Sequence, residues 1–172
     1  MTESKKLSKL LKNIKRYKRR YGLVKAIRAI THYGVRFLKQ KNTSEFIQVT
    51  GYKLKIIPNA TGICSDLAIF HVHEPLTTSL VKNEIKNGMT CLDIGSNIGY
   101  YAILESNLVG KQGKVIAIEP NPTNVKYLKE NLKIQPIKNF EFYNFAASDK
   151  DGTIKFLIYE TSNECMTIPD GE

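Results

Sequence analysis

The stretch Cys91-Leu-Asp-Ile-Gly-Ser-Asn-Ile-Gly99 constrains this chain more than any other part of it. A short apolar strand, Thr90 to Ile94, carries an acid, Asp93, two positions before Gly95. A second glycine, Gly99, follows as an amphipathic helix opens, and a further apolar run, Val115-Ile-Ala-Ile118, ends in Glu119. Strand, glycine turn, helix, strand and terminal acid make a βαβ unit suited to a nucleoside. Glycine lets the backbone approach the ligand, and a strand-end acid accepts hydrogen bonds from ribose hydroxyls.

Details around the glycines narrow the ligand. A dinucleotide site uses G-x-G-x-x-G, because pyrophosphate sits on bare backbone N–H groups at the helix N-terminus. Here the spacing is G-x-x-x-G, with Asp93 just in front. A carboxylate there would repel pyrophosphate but suits a ligand bearing an ammonium and a sulfonium. S-adenosylmethionine carries both, with a ribose for Glu119. Taken singly, Asp93 or Asn97 could be no more than a helix cap. The conjunction of Asp93, Gly95, Gly99 and Glu119 favours the cofactor.

The net charge of +10 is unevenly spread: residues 1–41 hold 14 Lys/Arg and one acid, residues 42–172 hold 12 Lys/Arg and 15 acids. A basic arm, 1–41, therefore precedes a mildly acidic domain, 42–172. Apolar residues recur along the arm at helical spacing (Leu7, Leu10, Leu11, Ile14, Tyr17, Tyr21, Val24), and Gly22 is placed to break the helix before Val24, Ile27 and Ile30 continue it. Three scattered cysteines argue against a disulfide framework or a zinc site. No apolar run approaches the length of a membrane span, and the N-terminus lacks the apolar stretch of a signal peptide. Cytoplasm is the default location.

In the domain, Phe46–Val49 and Lys53–Ile56 read as a hairpin turning near Gly51. Leu67 to His73 reads as a strand. Glu74-Pro75 opens a helix with apolar positions Leu76, Leu80, Val81 and Ile85, which Asn87-Gly88 ends. The glycine-turn helix runs from about Ile98 to Val109. Asn121-Pro122 is an N-cap followed by proline at the first helical position, with Val125, Leu128 and Leu132 as the buried stripe. Phe140 to Phe145 is a third strand, and Asp149-Lys-Asp-Gly152 turns into an alternating strand at Ile154, Phe156 and Ile158. Strands interleaved with helices predict an α/β fold with parallel order.

From about Asp66 to Ile158 the chain resembles the FkbM-type methyltransferases, a branch of the Rossmann-like class I enzymes that use S-adenosylmethionine. The carrying residues are Leu92 to Tyr101, Val115 to Pro122, and Ala146-Ala-Ser-Asp-Lys-Asp-Gly152. The resemblance implies O-methylation of a hydroxyl on a sugar, glycan or small metabolite. It also implies that Asp93, Gly95, Ser96, Asn97 and Gly99 hold the methionine part. Glu119, with Pro120 and Asn121, would hold the ribose, and Ala146 and Ala147 would border the adenine. Such enzymes continue into a fourth strand bearing Asp-x-Glu-Gly, which is not found here. The expectation is a fragment truncated after the third core strand and its following hairpin, with residues 90–94 left as an unpaired apolar edge.

No catalytic residue is evident. His71 and His73 would share one strand face at period two, a spacing that metal sites use, but no third ligand is seen and no metal is expected. His73 or Glu74 is a weak candidate for a general base. Of Tyr100 and Tyr101, one should pack in the core and the other could face substrate. The arm could cover the domain, touch an anionic membrane surface peripherally, or hold RNA; the acidic domain disfavours nucleic acid. Rival readings are an RNA methyltransferase and an inactive binding half-domain.

Overall fold

The computed structural model describes residues 18, 19, 22–24, 27, 31, 45–49, 51–58, 60, 62–136 and 138–158, with the backbone of 165–167. The chain divides into two units, Met1–Ser44 and Glu45–Glu172. In the first, Lys18, Arg19, Leu23, Val24, Ile27 and Thr31 are helical. Gly22 departs from helical geometry at φ +84°, the break its position suggested. The other apolar positions expected along the arm, from Leu7 to Tyr21 and at Ile30, lie outside the described residues.

The second unit opens with an antiparallel hairpin, β1 (Phe46–Val49) and β2 (Tyr52–Lys55), closed by Gly51 at φ +90°. The strand expected over Leu67 to His73 is not there: Leu67 to Phe70 instead form the end of a helix, α1 (Ile63–Phe70). Seven of its residues are buried, on every side of the helix. A short helix with no polar face presents the same unbroken apolar run as a buried strand. The second helix, α2 (Pro75–Glu84), starts at Pro75 as expected. Its one buried residue is Thr78; of the expected apolar positions, Val81 and Ile85 pack half-buried against the core, while Leu76 and Leu80 are exposed.

The core sheet has three parallel strands in the order β3 (Thr90–Ile94), β4 (Lys114–Ile118) and β5 (Phe140–Tyr143). Register pairs Asp93 with Ala117 and Ile118 with Tyr143. Helix α3 (Tyr100–Val109) returns along β3 and β4, and α4 (Pro122–Lys133) follows β4. Ala102, Ile103, Leu128 and Leu132 from these helices join Val115 and Ala117 in one buried core. Asn121 caps α4 by accepting from the Thr123 amide, with Pro122 in the first turn. The opposite sheet face bears Leu92 and Ile94, 58% and 59% exposed, and among the described residues β3 pairs only with β4. Beyond β5, β6 (Phe156–Ile158) pairs antiparallel with β7 (Cys165–Thr167).

One buried amide ties the hairpin to the glycine turn. Asn131 on α4 accepts from the Lys55 amide at 2.6 Å and donates to the Lys55 carbonyl at 2.9 Å and the Ile98 carbonyl at 2.8 Å. These bonds satisfy the inner edge of β2 and fix the end of the turn that carries the site.

Candidate functional site

The turn between β3 and α3 folds back onto the end of β4. Gly95 and Ser96 both donate their amides to the Ile118 carbonyl, at 2.8 and 3.0 Å. Asn97 lies at φ +51°, its side chain accepts from the Ile98 amide, and its own amide donates to Glu119 Oε2 at 2.8 Å. The two glycines serve different needs. Both have positive φ, but a Cβ on Gly99 would meet Leu128 Cδ1 at 2.6 Å, whereas one on Gly95 would meet nothing within 4 Å. Gly99 is required by packing; Gly95 faces open space.

Two acids flank this turn in contrasting states. Asp93 Oδ2 is sealed from solvent and has no hydrogen-bond partner. Burial pushes the Asp93 carboxyl up to about 6, against hydrogen bonds from Ser96 and the Ala102 amide, and the nearby Glu119 charge adds to the rise. Glu119, only 3% exposed, accepts from the amides of Asn97 and Asn121, each at 2.8 Å, and from Asn124 Nδ2 at 3.2 Å. Three of a carboxylate's four lone-pair directions are thus taken, and Oε2 keeps one for a ligand hydroxyl.

The sequence reading missed a third carboxyl. Glu105 on α3 has a buried, unpartnered Oε2, and burial together with the Asp93 charge pushes it up to about 7. The Cys91 thiol beside them is raised by burial and by both acids. The remaining expected residues sit at the carboxyl end of the sheet. Asn144 Nδ2 donates to the carbonyls of Glu119 and Pro120. Ala146 is half-buried and Ala147 exposed, in coil after β5.

The histidines do not share a strand face, because no strand is there. His71 ends α1 in the left-handed region, and its Nδ1 meets the Gln48 carbonyl at 3.0 Å. His73 Nδ1 instead meets Asp66 Oδ2 at 3.0 Å, and the ring stands edge-on to Tyr100. Glu74 adopts φ +42° just before Pro75, a strained geometry for a non-glycine residue. Tyr100 is buried, the core partner expected of the pair, and Tyr101 is half-buried against His73. Among the described residues no group of three or more His, Cys, Asp or Glu could hold a metal ion.

The turn fits the amino-acid and ribose parts of S-adenosylmethionine. It offers an orphaned buried carboxylate oxygen on Asp93, open space at Gly95, and a spare acceptor direction on Glu119. When bound, the cofactor supplies an electrophilic methyl group on sulfur.

Comparison with known proteins agrees on this cofactor. The family model for protein-L-isoaspartate(D-aspartate) O-methyltransferase matches residues 6–156. Protein-L-isoaspartate O-methyltransferase of Caenorhabditis elegans is 27% identical over 55% of this chain and 42% of its own length. The Triticum aestivum protein of the same name is 29% identical over 59% and 40%. A solved S-adenosylmethionine-dependent methyltransferase from Aquifex aeolicus is 34% identical over 41% of this chain and 38% of its own, with a TM-score of 0.37. The chain spans less than half the length of these relatives. The match overturns the resemblance to FkbM-type enzymes, and with it methylation of sugar hydroxyls. Leu92–Tyr101 and Val115–Pro122 make up the βαβ unit common to class I methyltransferases, so they do not separate one branch from another. The α/β class I fold and S-adenosylmethionine as cofactor stand.

Proposed function

The chain belongs to the protein-L-isoaspartate(D-aspartate) O-methyltransferase family, and from that premise we propose that it serves methyl transfer from S-adenosylmethionine to an isoaspartyl-type carboxylate of a protein or peptide. The observation that carries this reading is the family match over residues 6–156. Its chemistry suits the site. A carboxylate acceptor is already ionised at neutral pH, so transfer requires no base to remove a proton. Positioning and exclusion of water then do most of the catalysis. Asp93 is the acceptor for the cofactor's ammonium, and Glu119 holds the turn in place while offering its spare lone pair to a ribose hydroxyl.

The test uses two synthetic peptides of one sequence, one with aspartyl and one with isoaspartyl linkage, incubated with the chain and methyl-labelled cofactor. Label should enter only the isoaspartyl peptide, as an ester that mild base releases as methanol. Equal labelling of both peptides, or of neither, contradicts this acceptor.

A further inference from the structure

We propose that the basic first unit, Met1–Ser44, docks on an anionic phospholipid surface, with Leu23, Val24 and Ile27 inserted among the lipids. The inference is independent of the cofactor and of the methyl acceptor.

Among the described residues of this unit, three aliphatic side chains face solvent: Leu23 is 58% exposed, Val24 81% and Ile27 51%. All three are helical, as is Thr31 one turn further on. At about 3.6 residues per turn, positions 23, 24, 27 and 31 fall on one side of a helix. The sequence carries the same stripe on at Ile30 and Leu38. Single exposed leucines are ordinary on a protein surface, but an aliphatic row along one helix face marks an interaction site.

The charge pattern says what covers it. Lys25, Arg28, Arg36 and Lys39 recur at helical spacing on the side opposite the stripe, with His32 among them. Lys18 and Arg19, on the other side of the break at Gly22, are exposed as well. At that break the Gly22 amide bonds the Lys18 carbonyl at 3.0 Å, a left-handed cap that ends one helix and re-aims the next. Across residues 1–41 there are 14 Lys/Arg and a single acid, Glu3, whereas residues 42–172 carry more acids than bases. An anionic surface therefore attracts the arm and repels the rest of the chain.

Aliphatic residues on one side and Lys/Arg on the other suit the boundary between acyl chains and anionic headgroups. There the aliphatic groups leave water, and the basic side chains reach the headgroup phosphates while their stems cover apolar surface. A cation on nearly every turn keeps such a segment at the surface and out of the hydrocarbon. Nucleic acid matches the charge but not the stripe, because Leu, Val and Ile neither stack on bases nor bind phosphate.

Sedimentation of the full chain with vesicles tests this, using phosphatidylcholine alone and phosphatidylcholine mixed with phosphatidylserine at two to one. Wild type should bind the mixed vesicles and not the neutral ones, and let go as salt rises from about 0.1 to about 0.5 M. Leu23→Ser combined with Ile27→Ser should weaken binding about tenfold or more, since two aliphatic side chains no longer leave water. The urea midpoint should not move, because both residues are exposed. Lys18→Gln combined with Arg19→Gln should also weaken binding about tenfold or more, each charge being worth about fivefold at an anionic surface. The inference is overturned if the chain binds both vesicles alike or neither, or if the two serines leave binding unchanged. A lowered urea midpoint in the serine variant overturns it too, by placing the stripe against the chain's own fold. A chain that binds single-stranded RNA but neither vesicle assigns the arm to nucleic acid instead.

Discussion

Asp93 and Glu119 stand at the ends of neighbouring parallel strands, Asp93 half-buried and Glu119 buried, and they are opposite in their bonding. Glu119 collects three donors from the turn and from α4, whereas Asp93 keeps one oxygen dry and unpartnered. A buried carboxylate with partners holds a fold together; one without them costs stability until a ligand arrives. Under the proposed function the pair separates the scaffold of this site from its binding group, a division that their spacing in the sequence does not reveal.

Breaking the scaffold side should have the largest effect. Glu119→Ala strands three buried donors, each costing about 1–3 kcal/mol, partly recovered by water. We expect a loss of roughly 3–5 kcal/mol in urea unfolding, and cofactor binding lost through the collapsed turn. The binding side should respond with the opposite sign. Asp93→Asn removes a buried charge held well above its ordinary range, so stability at pH 8 should rise by roughly 1–3 kcal/mol while affinity for the cofactor falls. A loss of stability in Asp93→Asn would put Asp93 with the scaffold.

The same contrast predicts a pH dependence. Asp93 and Glu105 are raised to about 6 and about 7 in the folded state, above their values of 3.8 and 4.5 when unperturbed. Between those limits the folded chain binds more protons than the unfolded one. Their contribution to stability therefore falls as pH rises from about 4 to about 7, and is flat above. Urea midpoints across that range should show the decline, and Glu105→Gln should flatten its upper part. A smaller effect separates the glycines. Gly99→Ala meets Leu128 and should cost roughly 1–3 kcal/mol of stability. Gly95→Ala has room, so it should cost about 1 kcal/mol from its positive φ, with its main effect on cofactor affinity.

Local chemistry made much of this arrangement legible in the sequence. The glycine turn and the Asn121-Pro122 cap are each set by residues within a few positions of one another, and β3 and β4 by apolar runs joined through one short helix. What was lost depended on surroundings. Leu67 to Phe70 read as a strand because α1 is buried on every side, which removes the polar face that marks a helix. Leu76 and Leu80 read as core, but α2 turns Thr78 inward to bond His73 and Tyr100. Asp66 and Glu105 went unread because an acid within an apolar helix gains meaning only from what lies opposite it. The branch of methyltransferase was misread because its choice leaned on Ala146 to Gly152, a short stretch of coil and bends after β5, while the βαβ unit before it is common to many branches.

The central claim is that the unpartnered oxygen of Asp93 is kept for the cofactor's ammonium. Its most direct test is calorimetric affinity for S-adenosylmethionine, wild type against Asp93→Asn, with unfolding followed on the same samples. The account predicts a variant that is at least as stable as wild type yet binds about tenfold or more weakly, as loss of a charged hydrogen bond requires. Equal affinity in a stable variant would contradict it.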